Sequence, residues 1–578
     1  MPEQAVVPDA EAVLARFSAP TRAWFTGAFE APTAAQLGAW DAVSSGQNAL
    51  VVAPTGSGKT LSAFLWALDG FVREDGAEAV GADGAGQDPA DAAPRPATRV
   101  LYVSPLKALG VDVERNLRSP LIGITQTAAR LGVPAPDVRV GVRSGDTPAA
   151  ERRRLAQDPP EVLITTPESL YLMLTSKARS TLAGVDTVIV DEVHAVAGTK
   201  RGAHLAVSLE RLDELLERPA QRIGLSATVE PAEEVARFLG GVQPVTVVRP
   251  ASTKRWDLTV TVPVPDMADL AGTPAPSEGT DPAPDSALTD APGGSIWPHV
   301  EHRIVDLIAA HRSTIVFANS RRQAERLTDR LNEIWAGRHD ADDAAGPVSD
   351  VARAHHGSVS KDQRALVEEA LKTGRIRCVV ATSSLELGID MGAVDLVVQV
   401  SSPPSVASGL QRVGRAGHQV GESSTGVFFP QHRADLVDTA VVAERMRAGL
   451  IEPLRVPAHP LDVLAQQTVA AVAVEDLDDQ AWLDTVRRSA PFSSLPASAY
   501  ESVLDLLAGR YPSDEFAELR PRILWDRENG VLAARPGAQR LAVTSGGTIP
   551  DRGLFGVFLA TDGAGPSDAA DDESAGRD

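Results

Sequence analysis

A phosphate-binding loop near the N-terminus constrains this chain more than any other feature of its sequence. The loop is the octet 53–60, Ala-Pro-Thr-Gly-Ser-Gly-Lys-Thr, between an apolar run at 49–52 and an amphipathic run at 61–68. It fits the pattern G-x-x-x-x-G-K-[ST] with Ala53 in place of the first glycine. A strand, a glycine-rich loop and a helix in this order predict an α/β domain that holds a polyphosphate at the helix N-terminus.

Each residue type in the octet has a place in that chemistry. Gly56 and Gly58 let backbone N–H groups turn inward, Lys59 brings a charge to the terminal phosphates, and the Thr60 hydroxyl can bind Mg²⁺. The alternative is a strand-to-helix turn that contains Gly and Lys by chance, and the motifs below weaken it. The residues of the loop predicted to bind ATP are Thr55, Gly56, Ser57, Gly58, Lys59 and Thr60.

A glutamine upstream of the loop bears on which nucleotide is bound. The side chain of Gln36 offers one acceptor and two donors, the set that holds adenine by its N6 and N7 atoms. The nearby Phe29 can pack on the base. A glutamine on a helix is usually a plain polar side chain, but its place before a phosphate loop favours ATP.

Polar loops follow the next two strands of the predicted sheet. The run 99–103 ends in Ser-Pro-Leu-Lys-Ala-Leu at 104–109, and a second strand ends in Thr-Thr-Pro-Glu-Ser-Leu at 165–170. Such loops bind ligands in α/β sheets, and hydroxyls with a lysine suit the phosphates of a nucleic-acid strand. Plain capping of the next helix explains either loop equally well. The nucleic-acid contacts predicted here are Ser104, Pro105, Lys107, Thr165 and Thr166.

Two adjacent carboxylates follow an apolar strand at 188–190. Asp191 is predicted to hold Mg²⁺, and Glu192 to activate the water that attacks the γ-phosphate. A further strand ends in Ser-Ala-Thr at 226–228, whose hydroxyls are placed to link His194 to the second half of the chain. The residues predicted to couple the two halves are His194, Ser226 and Thr228.

The alternation of strands and helices restarts at about residue 313, after a Pro-rich segment. Arg412 and Arg415 lie three residues apart, on one side of a predicted helix, and are both candidates for an arginine finger aimed at the γ-phosphate. Arg322, Arg326 and Arg330 recur at four-residue spacing, which suits either a solvated charged stripe, the favoured interpretation, or a phosphate track.

The remaining candidate metal and redox residues point to no cofactor site. His355 and His356 are adjacent but lack further ligands nearby in the sequence, so we assign no metal to them. The single cysteine, Cys378, excludes an intramolecular disulfide and is predicted to be a small core residue.

Taken in order, the motifs resemble those of superfamily 2 nucleic-acid helicases, from Gln36 to about Val420. Many such helicases have Arg where this chain has His418, which leaves Arg412 and Arg415 as the finger candidates. Four stretches resemble the large helicase-related (Lhr) family in particular: Asp-Glu-Val-His at 191–194, His-His-Gly-Ser-Val-Ser at 355–360, Ser-Leu-Glu-Leu-Gly-Ile-Asp-Met-Gly at 384–392 and Arg-Ala-Gly-His at 415–418.

The resemblance implies two RecA-like domains with ATP and Mg²⁺ in the cleft between them. It implies 3′-to-5′ translocation on single-stranded DNA, unwinding of DNA or RNA–DNA duplexes, and a role in DNA repair. It places Gly388, Asp390 and Arg415 among the ATP contacts. The nucleic-acid contacts that it implies in the second half are Asn319, Ser320, Arg321, Ser358, Thr382 and Ser383.

The chain is predicted to divide into four segments. The first two are RecA-like α/β domains, each with a disordered insertion whose composition buries too little apolar surface to order (near 74–96 and 266–294). A winged-helix domain follows, and then the start of a further domain with an acidic tail. Family members are much longer, so we expect this chain to be truncated. The four segments are residues 1–250, 251–440, 441–545 and 546–578.

The winged helix is predicted from three short helices and a hairpin signal at Asn529-Gly530. Trp525, beside that hairpin, is either a residue that stacks on a base or a cover for the domain core, and the second is favoured.

Charge and composition bound the remaining alternatives. A net charge of −22 argues against a protein that coats nucleic acid with its whole surface, but it allows a local basic cleft. No apolar run reaches the length of a membrane span, so we expect a cytoplasmic, nucleoid-associated protein. The hypothesis of a P-loop kinase does not explain why the second half of the chain carries the motifs at 384–392 and 415–418. A module that binds ATP and nucleic acid without productive unwinding stays open.

Overall fold

The computed structural model describes most of the chain. Thr55, Gly388, Asp390 and His418 fall outside the described residues, as does everything from 549 onward, and at Lys107 only the backbone is described. The described residues are 8–54, 56–81, 97–134, 137–251, 254–267, 295–339, 350–386, 391–417, 423–510 and 520–548.

Seven parallel strands form the first sheet, in the order β3-β4-β2-β5-β6-β1-β7. Its central strands are apolar and buried along their whole length, because helices cover both faces of a parallel sheet. The strands are β1 (Asn48–Val52), β2 (Val100–Val103), β3 (Val140–Arg143), β4 (Val162–Thr165), β5 (Thr187–Val190), β6 (Gln221–Ser226) and β7 (Val245–Val248).

Ten helices accompany this sheet in the described part of the chain. They are α1 (Ala10–Leu14), α2 (Ala19–Ala28), α3 (Ala34–Ser44), α4 (Lys59–Gly81), α5 (Lys107–Leu131), α6 (Ala149–Gln157), α7 (Pro167–Leu174), α8 (Val193–Ala197), α9 (Lys200–Asp213) and α10 (Ala232–Gly240). Helix α4 continues past residue 74, near which the insertion was predicted to begin, and the extent of that insertion stays a prediction. Phe71 and Val72, just before that point, are buried in the core.

Six parallel strands form the second sheet, in the order β10-β11-β9-β12-β13-β8. The strands are β8 (Arg255–Val260), β9 (Thr314–Phe317), β10 (Ala352–His355), β11 (Cys378–Ala381), β12 (Leu396–Val400) and β13 (Ser423–Phe429). The helices are α11 (Trp297–Ala310), α12 (Arg321–His339), α13 (Lys361–Lys372), α14 (Val406–Val413) and α15 (Arg433–Ala448). Cys378 is fully buried in this sheet, as predicted for a core residue.

A smaller domain of helices and a three-stranded antiparallel sheet follows, which confirms the predicted winged helix. Trp525 packs on its core and donates from Nε1 to Asp479 at 2.8 Å, so the core interpretation of this residue is correct. The elements are α16 (Leu461–Val472), β14 (Leu477–Asp478), α17 (Asp479–Arg488), α18 (Ala497–Ala508), β15 (Ile523–Asp526), β16 (Val531–Ala534) and α19 (Ala538–Thr544).

The winged helix packs on the first sheet domain through helix α9. Ala203 and Val207 of α9 belong to the same apolar cluster as the core of the winged helix. Arg211 donates to Gln467 of α16 at 2.9 Å, in a buried contact. Lys200 forms an ion pair with Asp462 at 3.1 Å at the edge of the interface. The two domains therefore share an apolar core, with polar contacts beside it.

In the part of the chain that the structure describes, no helix combines the length and apolarity that crossing a bilayer requires.

Candidate ATP and nucleic-acid site

The phosphate loop lies between β1 and α4, as its sequence predicts. Gly56 and Gly58 have φ values of 83° and 77°, in the region that favours glycine. A Cβ on Gly58 would also lie 2.5 Å from Nε2 of Gln36. The loop is therefore built for backbone N–H groups that face a ligand, and Gly58 is required by both its backbone and its neighbour.

Gln36 ties the start of helix α3 to the phosphate loop. Its Oε1 accepts from the backbone N–H of Thr33 at 2.9 Å, and the Thr33 hydroxyl donates to the carbonyl of Ser57 at 2.9 Å. Nε2 of Gln36 lies 3.5 Å from the Gly58 carbonyl. The side chain therefore caps helix α3 and contacts the phosphate loop. Its predicted contact with adenine stays a prediction. Phe29 is largely exposed and stacks on Phe25, with ring centroids 5.0 Å apart.

The order of the strands brings the other nucleotide residues to the same edge of the sheet. Strand β6 lies between β1 and β5, and Nζ of Lys59 donates to the Ser226 carbonyl at the end of β6, at 3.3 Å. Asp191 follows β5, and its Oδ1 accepts from the backbone N–H of Glu192 at 2.8 Å. Glu192 itself has φ 46°, the left-handed conformation that non-glycine residues rarely adopt outside functional sites.

The buried carboxylates give this edge a strong negative field. Burial and the charge of Glu192 raise the pKa of Asp191 to about 6, against the lowering effects of Tyr102 and Lys59. Carboxylate and hydroxyl oxygens are the ligands that Mg²⁺ prefers, and it commonly takes one or two protein ligands together with phosphates of the substrate. The donor set of Asp191 and Thr60 fits this ion. No cluster of three or more metal-binding side chains occurs within the described ranges.

His194 is buried next to this edge and connects it to the loop after β6. Its Nδ1 accepts from the backbone N–H of Ala227 at 3.1 Å and lies 3.3 Å from the Ser226 hydroxyl and 3.5 Å from Glu192 Oε2. Burial lowers the pKa of His194, which favours the neutral ring. Because Nδ1 accepts from Ala227, a neutral ring carries its proton on Nε2. Nε2 has no partner among the described residues. Thr228 follows in the same loop, and the coupling role of these residues stays a prediction.

A cavity of about 910 Å³ separates the two sheet domains. His194 lines it from the first domain, beside Arg201, which forms an ion pair with Glu168. The predicted nucleic-acid residues that line this cavity come from both domains and are Pro105, Thr166, Arg321, Thr382 and Ser383.

Other predicted nucleic-acid residues of the first domain have hydroxyls engaged with the backbone. Ser104 donates to the Leu106 carbonyl at 2.9 Å, and Thr165 donates to the Arg143 carbonyl at 2.8 Å. Both side chains are buried. Thr166 caps helix α7 by accepting from Ser169 N at 3.4 Å. In this structure the hydroxyls of Ser104 and Thr165 therefore have local structural roles, and their contacts with nucleic acid stay predictions.

In the second domain the predicted nucleic-acid residues bond to one another and to the backbone. Nη1 of Arg321 donates to Ser358 Oγ at 2.9 Å, and both side chains are exposed beside the cavity. Asn319 Nδ2 donates to the Ser402 carbonyl at 2.8 Å. Ser320 Oγ accepts from Gln323 N at 3.2 Å, which caps the first turn of α12. Their contacts with nucleic acid stay predictions.

Arg412 is not placed as an arginine finger. It is only 2% exposed, its Nε donates to Glu386 Oε1 at 2.7 Å, and Nη1 donates to Asn319 and Gln399, each at 2.9 Å. The guanidinium also lies over the ring of Phe317. These contacts all lie inside the second domain, so the structure favours a structural role for Arg412 over the predicted arginine finger. Spacing alone does not tell an inward side chain from one that reaches across a cleft.

Arg415 is equally buried, at 2% exposed, so the contacts of the two arginines and not their burial distinguish them, and Arg415 remains the finger candidate. It follows α14 and donates from Nη2 to the Glu386 carbonyl at 2.9 Å. Glu386 therefore holds both arginines, Arg412 through its carboxylate and Arg415 through its carbonyl, and sequence reasoning missed it. The sequence feature that could have pointed to Glu386 is its place as a carboxylate just before Gly388 and Asp390.

The two adjacent histidines also bond inside the second domain. His355 lies 2.9 Å from Ser384 Oγ through Nδ1 and 3.0 Å from Glu368 Oε1 through Nε2, and His356 pairs with Glu325. Each histidine has its own carboxylate partner, which explains why the pair is structural.

The arginine stripe of α12 is in part an ion-pair network. Arg330 bonds to Glu301 at 3.3 Å and also pairs with Glu333, while Arg322 and Arg326 are exposed. This arrangement favours the solvated charged face.

Family models match three parts of this chain. The DEAD/DEAH box helicase model matches residues 33–237, the helicase conserved C-terminal domain matches 300–419, and the winged-helix domain of large helicase-related proteins matches 444–567. The chain is 63% identical to "Lhr helicase/probable uracil glycosylase" of Mycolicibacterium smegmatis over 96% of its length.

This chain belongs to the large helicase-related (Lhr) family of superfamily 2 helicases.

Two further similarities place the chain within this Lhr family. It is 57% identical to the Lhr helicase/uracil glycosylase of Escherichia coli, over 94% of this chain and 35% of that protein. It aligns with the structure of the Mycobacterium smegmatis helicase Lhr bound to ssDNA and AMP-PNP, with a TM-score of 0.80, over 95% of this chain and 64% of that one. The chain spans only about a third of the bacterial relatives (36% of the M. smegmatis protein). Within that part it has the two helicase domains and the winged helix that the family models match.

Proposed function

We propose that this chain is an ATP-driven translocase that moves 3′ to 5′ along single-stranded DNA and displaces the opposite strand of DNA or RNA–DNA duplexes. One observation carries the proposal. Predicted nucleic-acid residues of both parallel-sheet domains line one cavity between them, and His194, whose Nδ1 lies 3.5 Å from Glu192 Oε2, is on its wall. A change at the nucleotide is therefore one contact away from the strand.

The hydrolysis step assigns a task to each residue at the nucleotide edge. Lys59 neutralises the terminal phosphates, and Glu192, fixed by its left-handed backbone, holds and activates the attacking water. Thr60 and Asp191 would hold Mg²⁺, which neutralises charge on the phosphates when it is bound. Arg415 approaches the transferred phosphate from the second domain as the arginine finger.

Movement follows from the way the three domains pack. The winged helix shares a core with the first sheet domain, so these two move as a unit. ATP contacts both sheet domains and favours the closed arrangement, and hydrolysis removes that preference. If the unit and the second domain grip the strand in alternation, each cycle becomes a step. Direction, DNA repair and a cytoplasmic, nucleoid-associated location are supported by family membership.

Strand displacement measured beside ATP hydrolysis tests the proposal. We expect a duplex with a 3′ single-stranded tail to be unwound and one with a 5′ tail to be left intact, with DNA or RNA as the displaced strand. Glu192→Gln is the control that binds ATP without turning it over. Unwinding only from the 5′ tail would refute the direction. ATP hydrolysis stimulated by DNA without any displacement would favour the second candidate, a nucleic-acid-stimulated ATPase.

A further inference from the structure

Tyr102 is an unusual residue in the strand that carries it. Strand β2 is otherwise aliphatic (Val100, Leu101 and Val103) and buried along its length. The Tyr102 ring is also completely buried and is stacked on Phe64 of α4, with ring centroids 5.1 Å apart and planes inclined by 25°. Burying a hydroxyl at such a site costs folding free energy unless it is hydrogen-bonded. The hydrogen-bond partner of Tyr102 therefore explains why a tyrosine can be buried here.

That partner is the carboxylate of the proposed magnesium ligand. The Tyr102 hydroxyl donates to Oδ2 of Asp191, across the neighbouring strand β5. The other oxygen, Oδ1, accepts from the backbone N–H of Glu192 at 2.8 Å. Each carboxylate oxygen thus has one fixed hydrogen bond and keeps a lone pair for a cation, and the two bonds together fix the rotation of the carboxylate about its Cβ–Cγ bond.

The stacked ring connects this carboxylate to the phosphate loop. Phe64 lies on α4 little more than one turn after Lys59, where the loop ends. Helix α4 therefore positions the Phe64 ring, and this ring packs against Tyr102. The Tyr102 hydroxyl in turn positions the Asp191 carboxylate. Groups that orient a metal-binding side chain in this way tune metal affinity without touching the metal.

We propose that Tyr102 is a positioning residue that orients the Asp191 carboxylate toward the Mg²⁺ that accompanies ATP. The proposal rests on the proposed function, because it assumes that Asp191 binds this ion together with a nucleotide. It concerns only this chain's own residues, and neither Tyr102 nor Phe64 touches the reacting atoms.

Tyr102→Phe removes the hydroxyl and keeps the ring stacked on Phe64. The affinity for a fluorescent ATP analogue is measured in EDTA and across a titration of Mg²⁺ with the full chain. We expect the affinity in EDTA to be unchanged and the Mg²⁺ concentration that gives half of the enhancement to rise about 10- to 100-fold. A role limited to packing would not change the magnesium dependence selectively.

Tyr171→Phe is the matched control. Tyr171 is also a fully buried tyrosine of the first domain, but its hydroxyl has no hydrogen-bond partner among the described residues. We expect this variant to keep the wild-type magnesium titration. Melting curves in EDTA, recorded for both variants, show that each is folded before the titrations are compared.

Two results would overturn this inference without contradicting the proposed function. One is a wild-type magnesium titration for Tyr102→Phe, and the other is an equal loss of affinity in EDTA, which would mean a damaged phosphate loop. If the wild-type chain itself showed no nucleotide binding that depends on Mg²⁺, the proposed function would fail, and this inference with it.

Discussion

Replacing Arg412 by alanine separates a structural arginine from an arginine finger. The side chain is 2% exposed, and it holds Glu386, Asn319 and Gln399 inside the second domain. Its loss leaves the largely buried Glu386 carboxylate without its cation. Removing one partner of a buried ion pair costs about 3–5 kcal/mol, so we expect the free energy of unfolding of this domain to fall by that amount.

The assay is thermal unfolding of the full chain, followed by circular dichroism. In a domain of this size 1 kcal/mol shifts the midpoint by about 2–4 °C, so the transition of the second domain should fall by about 6–20 °C. Arg326→Ala is the matched control, since that arginine is exposed on α12 of the same domain and its removal should leave the midpoint unchanged. Arg412→Lys should recover only part of the loss, because an ammonium cannot reproduce the planar fork of contacts.

A specific result would refute this reasoning. If Arg412→Ala melted like the wild type and still lost turnover while keeping its affinity for ATP, Arg412 would act on the transition state and our placement of it would be wrong.

Three further variants test residues of the nucleotide edge. Lys59→Ala should lower ATP turnover by about 100-fold or more while the melting curve stays unchanged; wild-type turnover would contradict the phosphate-loop assignment. Glu192→Gln should bind ATP normally and lower the hydrolysis rate by about 10²–10⁴-fold in single-turnover experiments, and a loss of binding would mean that Glu192 has another role. Gln36→Glu keeps the acceptor for Thr33 and removes the Nε2 donors, so the preference for ATP over GTP should fall about 2- to 10-fold; equal use of both nucleotides by the wild type would refute the adenine contact.

Sequence reasoning predicted the fold because its signals were local. Apolar runs that end in polar loops predict buried parallel strands, and the glycines at 56 and 58 were expected to let the backbone turn inward, which agrees with the positive φ that both have. The Asn529-Gly530 hairpin signal likewise located the wing of the last domain. Each of these features is determined by residues that are close together in the chain.

What the sequence did not reveal depended on side-chain direction or on distant partners. The i, i+3 spacing of Arg412 and Arg415 places both on one side of a helix, but Glu386 decides that Arg412 is turned inward. Ser104 suits a phosphate by its chemistry, yet its hydroxyl bonds to the backbone two residues further along. Tyr102 looked like any residue of a buried strand because its partner, Asp191, is 89 positions away. Such contacts exist only once the sheet order is fixed.

The most direct test of the central claim is the rate of ATP hydrolysis with and without single-stranded DNA, with Lys59→Ala as the blank. Single-stranded RNA and blunt duplex DNA are measured in parallel as alternative activators. If nucleotide and strand meet at the cleft that His194 lines, single-stranded DNA should raise the rate far above that of the free protein. A rate above the blank that is the same with every nucleic acid and with none would contradict the account.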